Sequence, residues 1–334
     1  MSRSAGPVAI DARAAARPEL GGVERWAREL TARLPALRQD GYVVRAPPAL
    51  LSHRLGHAWE QFVLPGLAPV SRWLLCPANL APLAHPRVAV VLHDAAPLRC
   101  PAWYSPTYAR LQAAMLPRIA RRARLVITVS AFAAAELREL VGVEAEVVPG
   151  GVDHERFHPE VPRDDRPPYV LTVASRSARK NLSALEETAR RLAERGIELL
   201  AVGGDRPQFA GAAAVPGLRE LGHVPDDALP GLYAGALAFV LPSLYEGFGL
   251  PVLEAMACGT PVVAADATAL PDTCGGAAVL VDPHDPRAIA AGVETALADP
   301  DPLRTRGITH ARAFSWDGTA RAVDALLHRD PTAS

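Results

Sequence analysis

The sequence predicts an α/β protein built from two doubly wound parallel sheets, one in each of two domains. The chain has 334 residues, which suits two domains of ordinary size. Short apolar runs alternate with longer segments of helical periodicity, the pattern of parallel strands joined by helices. A stretch rich in Gly and Pro at 147–159, followed by a polar run at 161–168, separates two such series and marks a domain boundary.

In the first half, apolar runs that end in polar or turn residues predict strands, and the segments between them predict helices. Val23, Trp26, Leu30 and Leu34 recur at helical spacing after Gly21-Gly22, and Ser130 suits the N-cap of a helix. The predicted strands are 8–11, 42–46, 73–76, 87–94 and 125–129, and the helices begin near 22, 103 and 131.

The second half repeats the alternation. Predicted strands are 169–174, 198–202, 237–241, a buried run around 262 and 277–281, with helices from 182, at 226–236, around 251, at 286–298, 302–313 and 316–327. We therefore predict an N-terminal domain at 1–155 and a C-terminal domain at 156–310. The segment 311–334 should form a terminal helix that packs back toward the first domain.

Composition narrows the class of protein. With 49% hydrophobic and 21% charged residues, the chain is expected to be a soluble globular protein. The N-terminus lacks the apolar core of a signal peptide, and no apolar run approaches 18 residues, so we expect a cytoplasmic protein. The four cysteines show no CxxC spacing, which favours buried thiols over a zinc site or disulfides.

Charge is distributed unevenly along the chain. Residues 1–150 contain 18 Arg against 11 Asp and Glu, whereas residues 151–334 contain 17 basic residues against 25 acidic ones. Such asymmetry suggests different partners for the two halves. Arginine outnumbers lysine 34 to 1, so Lys180 is the single lysine.

The segment 242–264 is the strongest candidate for a site. It is expected to contain a strand end, a loop broken by glycines, a short helix and a second buried strand. Glu246 lies on the loop, and Glu254 lies eight residues later in apolar sequence, where a carboxylate is costly unless it is hydrogen-bonded. Pro251 suits the first helical turn, which places Glu254 about 6 Å along the helix axis from Leu250.

Between the two carboxylates lie backbone N–H groups that are expected to point outward as at a helix N-terminus. They belong to Gly247, Phe248, Gly249 and Leu250. Two carboxylates flanking an anion-binding helix end suit a molecule with hydroxyl groups at both ends and a phosphate between them. A nucleotide-sugar fits this description.

The same segment resembles the Glu-x7-Glu signature of retaining glycosyltransferases of family 4. The resemblance implies that Glu246 contacts the hydroxyls of the transferred sugar and that Glu254 contacts the ribose of the nucleotide. It also implies the GT-B fold, in which two Rossmann-like domains face a cleft. Similar residues recur at 148–159, 179–181, 222–224, 232–234 and 314–316, with the second half matching more strongly than the first.

Further donor-binding residues follow from the resemblance. Lys180 matches the phosphate-binding lysine of the family, and an ammonium there can neutralise a leaving diphosphate. Ser175 stands where members often have an arginine, and whether Arg176 or Arg179 compensates stays open. Val224 lies in the matching 222–224 segment.

Two candidates lie in the first half. Gly22, in a Gly-Gly pair before a helix, could bring backbone N–H groups to a phosphate, and the family has glycines in this loop. His93 ends a predicted strand and matches a histidine that contacts the donor sugar in related enzymes. The alternatives are an ordinary turn and a structural histidine.

Several other activities find no support in the sequence. The first strand is not followed by GxGxxG, which argues against a dehydrogenase. No second acid is placed as in glycosidases, and the family is thought to use the donor phosphate to accept the proton, so no general base is assigned. We expect no metal, no other cofactor and no nucleic-acid partner.

We therefore predict a retaining glycosyltransferase that moves a hexose to an acceptor hydroxyl in polysaccharide or glycoconjugate assembly. The segments 11–13, 21–25 and 179–181 most resemble mannosyltransferases, so GDP-mannose is the first donor and a UDP- or dTDP-sugar the second. The alternative is a non-catalytic nucleotide-sugar-binding subunit. Arginines and aromatic residues at 103–124 suggest an interfacial helix on an anionic membrane, with a lipid-linked acceptor, or a packed helix with solvated arginines.

Overall fold

The computed structural model describes residues 6–17, 21–48, 56–68, 73–209 and 213–329. The chain divides into two compact units. Unit 1 comprises Met1–Arg99, Arg110–Gly151 and Trp316–Ser334, and unit 2 comprises Cys100–Ala109 and Val152–Ser315. These limits differ by a few residues from the predicted domain boundaries, and no sequence pattern predicted that 100–109 would belong to unit 2.

Unit 1 contains a parallel sheet of six strands in the order β2-β1-β3-β4-β5-β6. The strands are β1 (Val8–Asp11), β2 (Tyr42–Arg45), β3 (Leu74–Cys76), β4 (Val88–Leu92), β5 (Leu125–Thr128) and β6 (Glu146–Val147). The helices among its described residues are α1 (Gly22–Leu37), α2 (Gly56–Ala58), α3 (Leu64–Leu67), α4 (Ala96–Arg99), α5 (Pro106–Arg122, whose first turn belongs to unit 2), α6 (Ala131–Val141) and α13 (Trp316–Leu327).

Unit 2 contains a second parallel sheet of six strands, in the order β12-β11-β10-β7-β8-β9. The strands are β7 (Tyr169–Val173), β8 (Glu198–Val202), β9 (Leu218–Gly222), β10 (Ala238–Leu241), β11 (Val262–Ala265) and β12 (Val279–Val281). The helices are α7 (Glu186–Ala193), α8 (Leu229–Gly235), α9 (Leu250–Ala257), α10 (Leu270–Cys274), α11 (Pro286–Ala298) and α12 (Pro300–Ala311).

The strand order of unit 2 determines where a ligand can bind. Counted from β7 in chain order, the sheet reads 6-5-4-1-2-3, which is the Rossmann order, and its direction reverses between β7 and β10. Open α/β sheets bind ligands beyond the carboxyl ends of the strands at this reversal, because the two flanking loops diverge there. In unit 1 the corresponding reversal lies between β1 and β3.

Apolar helix faces pack on both sheets, as the periodicity predicts. In unit 1 the buried Leu116 and Ile119 of α5 share one core cluster with Val90 of β4. In unit 2, Leu185 before α7 and Ile289 of α11 share a cluster with strands β7, β10 and β11. The predicted α/β fold with two doubly wound, Rossmann-like sheets is confirmed.

Several element boundaries differ from the prediction, with identifiable causes. The helix predicted from 103 begins at Pro106, because Pro101–Trp103 form a separate 3-10 turn. Strands β6 and β9 were not predicted because they are short or rich in charge. The helical segment 56–67, which includes a π-helical turn at Trp59–Val63, was also missed.

The segment 103–124, suggested as an interfacial helix, packs aromatic and apolar side chains against the rest of the protein. Trp103 and Tyr104 pack on the unit 2 residues Tyr245 and Phe209, and α5 buries Leu116 and Ile119 in the unit 1 core. Much of the apolar side of this segment is therefore used in packing, as expected for a packed helix. Its arginines at 110, 118, 121, 122 and 124 remain exposed.

None of the helices in the described ranges is long and apolar enough to cross a membrane. Cys76, Cys258 and Cys274 are buried, and Cys100 is partly buried.

Candidate active site

Lys180 and Glu246 meet at the sheet reversal of unit 2. Lys180 ends the 3-10 turn Ala178–Lys180 in the loop after β7, and Glu246 lies in the loop after β10. The two loops are tied together, because the Leu244 N–H donates to the Arg179 carbonyl at 2.9 Å. Asn181 strengthens the tie by donating its side-chain amide to the carbonyls of Pro242 and Pro283 at 3.1 and 2.7 Å.

The two side chains form a buried ion pair. Lys180 Nζ lies 2.5 Å from Glu246 Oε1, and the Ser243 hydroxyl donates to the same oxygen at 2.8 Å. Lys180 is 8% exposed and Glu246 5%. Within the described part of the chain, no hydrogen bond reaches Oε2 of Glu246. One carboxylate oxygen is thus fixed by two donors, while the other is left to accept from a bound molecule.

The electrostatic surroundings keep Glu246 ionised. Burial raises the pKa of its carboxyl, but the charges of Lys180 and Arg179 and the hydrogen bonds from Lys180 and Ser243 outweigh burial. The net effect is a pKa below the ordinary value for glutamate. The oxygen that remains accessible to a ligand therefore belongs to an anion.

The second carboxylate lies on helix α9. Glu254 is 4% exposed, and the Tyr233 hydroxyl donates to its Oε2 at 3.1 Å. Helix α9 begins at Leu250 with Pro251 at its second position, as predicted. The structure therefore places Glu246 before the helix and Glu254 within it.

The loop between them follows a path that requires glycine at one position. Gly249 precedes α9 with φ +105°, and a Cβ there would lie 2.7 Å from Cδ2 of Leu270. Phe248 and Leu250 are buried, and the Thr273 hydroxyl donates to the Phe248 carbonyl at 2.6 Å. The run Gly247-Phe248-Gly249-Leu250 is thus held on one side by α10.

The two arginines near Ser175 differ in their contacts. Arg176 is ion-paired with Glu220 and lies 3.6 Å from Asp205, so its charge is largely compensated by acids. Arg179 lies over the Phe209 ring at 5.8 Å and its charge acts on Glu246. Val224 is partly buried in the loop after β9.

Of the candidates in unit 1, Gly22 follows β1 at the sheet reversal, and His93 follows β4, the strand beside β3. The His93 N–H donates to Asn79 Oδ1 at 2.7 Å, and its Nε2 lies 2.9 Å from the Pro77 carbonyl, in the loop after β3. Burial lowers the pKa of His93, so the imidazole is neutral and Nε2 must be the donor to that carbonyl. Gly22 begins α1, and the N–H of the preceding Gly21 donates to Glu24 Oε2 at 3.0 Å.

Sequence reasoning missed four residues that build this site. They are Ser243, Asn181, Tyr233 and Thr268, which hydrogen-bond to Glu246, to the loop after β10 or to Glu254. Ser243 lies three residues before Glu246, a spacing that could have suggested it. Asn181 and Tyr233 lie in the segments 179–181 and 232–234, which resemble the family, although no role was assigned to them. Thr268 is brought to the site by the fold and had no local signal.

No group of three or more His, Cys, Asp and Glu side chains that could hold a metal ion occurs in the described ranges.

Two family models match the chain. The model described as "Glycosyl transferases group 1" matches residues 167–299, and "Glycosyltransferase Family 4" matches residues 69–156. The first match includes Lys180, Glu246 and Glu254, and the second includes His93.

Comparisons with individual proteins agree with these matches. The chain is 33% identical over 266 residues to the O-antigen chain mannosyltransferase B of Escherichia coli, covering 72% of this chain and 70% of the relative. Its fold is similar to sucrose-phosphate synthase from Thermosynechococcus elongatus, with a TM-score of 0.76, 22% identity and coverage of 96% and 98%. It is also similar to HepE of Anabaena in complex with UDP-glucose, with a TM-score of 0.69, 18% identity and coverage of 96% and 99%.

Proposed function

The chain belongs to the group 1, family 4 glycosyltransferases and is an enzyme of the GT-B class; from this premise we propose that it is a retaining hexosyltransferase. The proposed reaction moves a hexose, mannose first, from a nucleotide diphosphate sugar to an acceptor hydroxyl. Membership of an enzyme family argues against the alternative of a non-catalytic binding subunit.

The observation that carries the proposal is the buried Lys180–Glu246 pair at the sheet reversal of unit 2. Oε2 of Glu246 is proposed to accept hydrogen bonds from hydroxyls of the transferred sugar. The Lys180 ammonium is proposed to stabilise negative charge on the leaving diphosphate, where a preorganised cation acts most strongly. The pair holds both groups in place before the donor arrives.

The proposed chemistry requires no protein base. The bond between the anomeric carbon and the donor phosphate oxygen breaks, and a bond from the acceptor oxygen forms on the same face of the sugar. The acceptor hydroxyl gives its proton to the departing phosphate, so the products are the glycosylated acceptor and the nucleoside diphosphate. Glu254 is proposed to hold the ribose hydroxyls of that nucleotide.

GDP-mannose is the first proposed donor, supported by the similarity to a mannosyltransferase named for O-antigen chain synthesis. A UDP- or dTDP-sugar is the second, and the similarity to a fold seen with UDP-glucose keeps it in the panel. The relative's name also favours a polysaccharide acceptor, free or lipid-linked.

We propose a peripheral membrane contact in which the exposed arginines of α5 are attracted to anionic lipids. The exposed arginines of α5 and its C-terminal end could each contribute about 1 kcal/mol near an anionic lipid surface. Co-sedimentation with anionic and neutral vesicles at low and high salt tests this, since the Debye length is about 8 Å at physiological ionic strength. A protein that stays in the supernatant in every condition would favour a soluble acceptor.

The experiment that tests the function is a donor panel. Purified protein is incubated with GDP-mannose, UDP-glucose, UDP-galactose and dTDP-glucose, and the released nucleoside diphosphate is measured without acceptor. We expect slow hydrolysis, fastest with GDP-mannose. When an acceptor is supplied, we expect the product to retain the α-anomeric configuration of the donor. Binding of a donor without hydrolysis in any condition would instead support the non-catalytic subunit.

A further inference from the structure

Thr268 has a backbone conformation that is unusual for its residue type. Its φ is +56°, in the left-handed region, where β-branched residues are rare. It lies in the turn between β11 and α10, and it is partly buried. Such outliers persist only where the surrounding structure maintains them, and they cluster at functional sites.

The contacts of Thr268 lead to the candidate active site. Its Oγ1 accepts the N–H of Glu246 at 3.0 Å. Five residues later, the Thr273 hydroxyl donates to the Phe248 carbonyl at 2.6 Å. The turn and α10 therefore hold the loop 246–248 at both ends, through one acceptor and one donor.

These contacts complete the fixation of Glu246. Its carboxylate is held at Oε1 by Lys180 and Ser243, whereas its backbone is held by Thr268. A side chain held only at one oxygen could still pivot if the backbone moved. With the backbone N–H fixed as well, the direction of Oε2 is determined.

We propose that Thr268 is a positioning residue, whose hydroxyl fixes the backbone of Glu246 and so aims Oε2 at the sugar hydroxyls. This inference rests on the proposed role of Glu246 in donor-sugar binding. It assigns to the left-handed threonine a function that glycine, the easier residue at this φ, could not perform because glycine lacks the hydroxyl.

Three variants separate the hydroxyl from the backbone strain. Thr268→Val keeps the β-branched shape and removes the hydroxyl, so the Glu246 amide should exchange with deuterium at least tenfold faster. Donor turnover should fall about tenfold, while affinity for the sugar-free nucleotide stays within twofold. Thr268→Ser keeps the hydroxyl and should retain the wild-type amide exchange and turnover within threefold.

Thr268→Gly distinguishes positioning from a stability effect. It relieves the left-handed strain, so the unfolding temperature should fall less than in Thr268→Val, yet the lost hydroxyl should still lower turnover and speed exchange at Glu246. The matched control is Thr188→Val, which removes a buried hydroxyl of α7 that has no hydrogen-bond partner in the described ranges. It should change neither exchange at Glu246 nor turnover.

Amide exchange tests the positioning even if no donor in the panel is hydrolysed, so failure of the proposed function can be told apart from failure of this inference. Wild-type exchange at Glu246 in Thr268→Val overturns the inference, whatever the turnover. Faster exchange with unchanged turnover overturns it as well, because the fixation would then not serve the reaction.

Discussion

Each unit contains a carboxylate and a cation that pair while both are buried, and the two pairs differ in the pKa of the carboxyl. In unit 2, Glu246 lies 2.5 Å from Lys180, and in unit 1, Glu60 lies 2.5 Å from Arg13. All four residues are less than one-tenth exposed. Both pairs also follow a strand at a sheet reversal, since Lys180 comes after β7 and Arg13 after β1.

The pKa of the two carboxyls nevertheless moves in opposite directions. Burial is the strongest influence on both and raises both. At Glu60 it prevails, because the attraction of Arg13 is opposed by the neighbouring negative charge of Asp11, and the pKa rises to about 7. At Glu246 two cations and two hydrogen bonds prevail over burial, and the pKa falls. A short ion pair alone therefore does not decide whether a buried carboxylate stays charged; the surrounding charges decide it.

Removing the cation of the unit 2 pair should have the largest effect. Lys180→Ala is expected to lower donor turnover by about 10²- to 10³-fold, the range seen for loss of one preorganised stabilising group. Affinity for the sugar-free nucleoside should change little, because the partner of Lys180 is charge that develops on the leaving diphosphate. Steady-state kinetics and calorimetry measure the two effects.

Lys180→Arg serves as the matched variant. It should recover part of the turnover, since a planar fork replaces a point charge. Turnover at the wild-type level in Lys180→Ala would remove Lys180 from the mechanism and leave the two pairs functionally alike.

The nucleotide end of the site should give the next largest effect. Glu254→Ala is expected to weaken nucleotide affinity tenfold or more, because hydrogen bonds to charged groups contribute about 1.5–3 kcal/mol each. Tyr233→Phe removes the hydroxyl that donates to Glu254 and should have a smaller effect, since the carboxylate itself remains. Titration calorimetry with the nucleotide measures both affinities. Unchanged affinity in Glu254→Ala would refute the proposal that Glu254 binds the ribose.

The contrast between the units also shows what the sequence could predict. The Glu246–Glu254 spacing and the single lysine are local signals, and they were sufficient to select these three residues as candidates, whose roles stay predictions. Strand alternation was sufficient for the two sheets apart from β6 and β9. The pairing of Lys180 with Glu246, and of Arg13 with Glu60, joins residues far apart in the chain and depends on strand order, which periodicity does not specify.

The same reason explains the residues that were missed. Glu60 lies in a π-helical turn that has no distinctive sequence pattern, and Thr268 acquires its role only because β11 lies beside β10. The contacts that distinguish Arg176 from Arg179 likewise depend on which residues lie nearby in space.

Replacing Arg179 or Arg176 should affect the pH dependence of donor turnover differently. Because the pKa of Glu246 lies below 4.5, its ionised form should persist down to acidic pH and be lost only as pH falls through that lowered value. Arg179→Ala removes one of the charges that lowers it, so the acid limb of turnover should move to higher pH. Arg176→Ala should leave the limb unchanged, since Arg176 is paired with Glu220. Equal shifts in both variants would contradict a specific role for Arg179.

The smallest effect on turnover is expected from the unit 1 pair. Glu60→Gln should leave donor hydrolysis unchanged, because neither Glu60 nor Arg13 belongs to the proposed donor site. Glu60→Gln should instead change how the free energy of unfolding depends on pH. A carboxyl whose folded pKa is raised binds protons more tightly in the folded state, so its contribution to the free energy of unfolding declines as pH rises from about 4.5 to about 7.

Replacing Glu60 by the neutral glutamine should remove that decline. The two proteins should be about equally stable near pH 4.5, and at pH 8 the variant should be more stable by at most about 3–4 kcal/mol, since the pKa of Glu60 rises from 4.5 to about 7 and each pKa unit corresponds to about 1.4 kcal/mol. Urea denaturation at both pH values measures the difference. The opposite outcome is a variant less stable at pH 8. The 2.5 Å contact with Arg13 would then outweigh burial, and the two pairs would differ only in the open oxygen of Glu246.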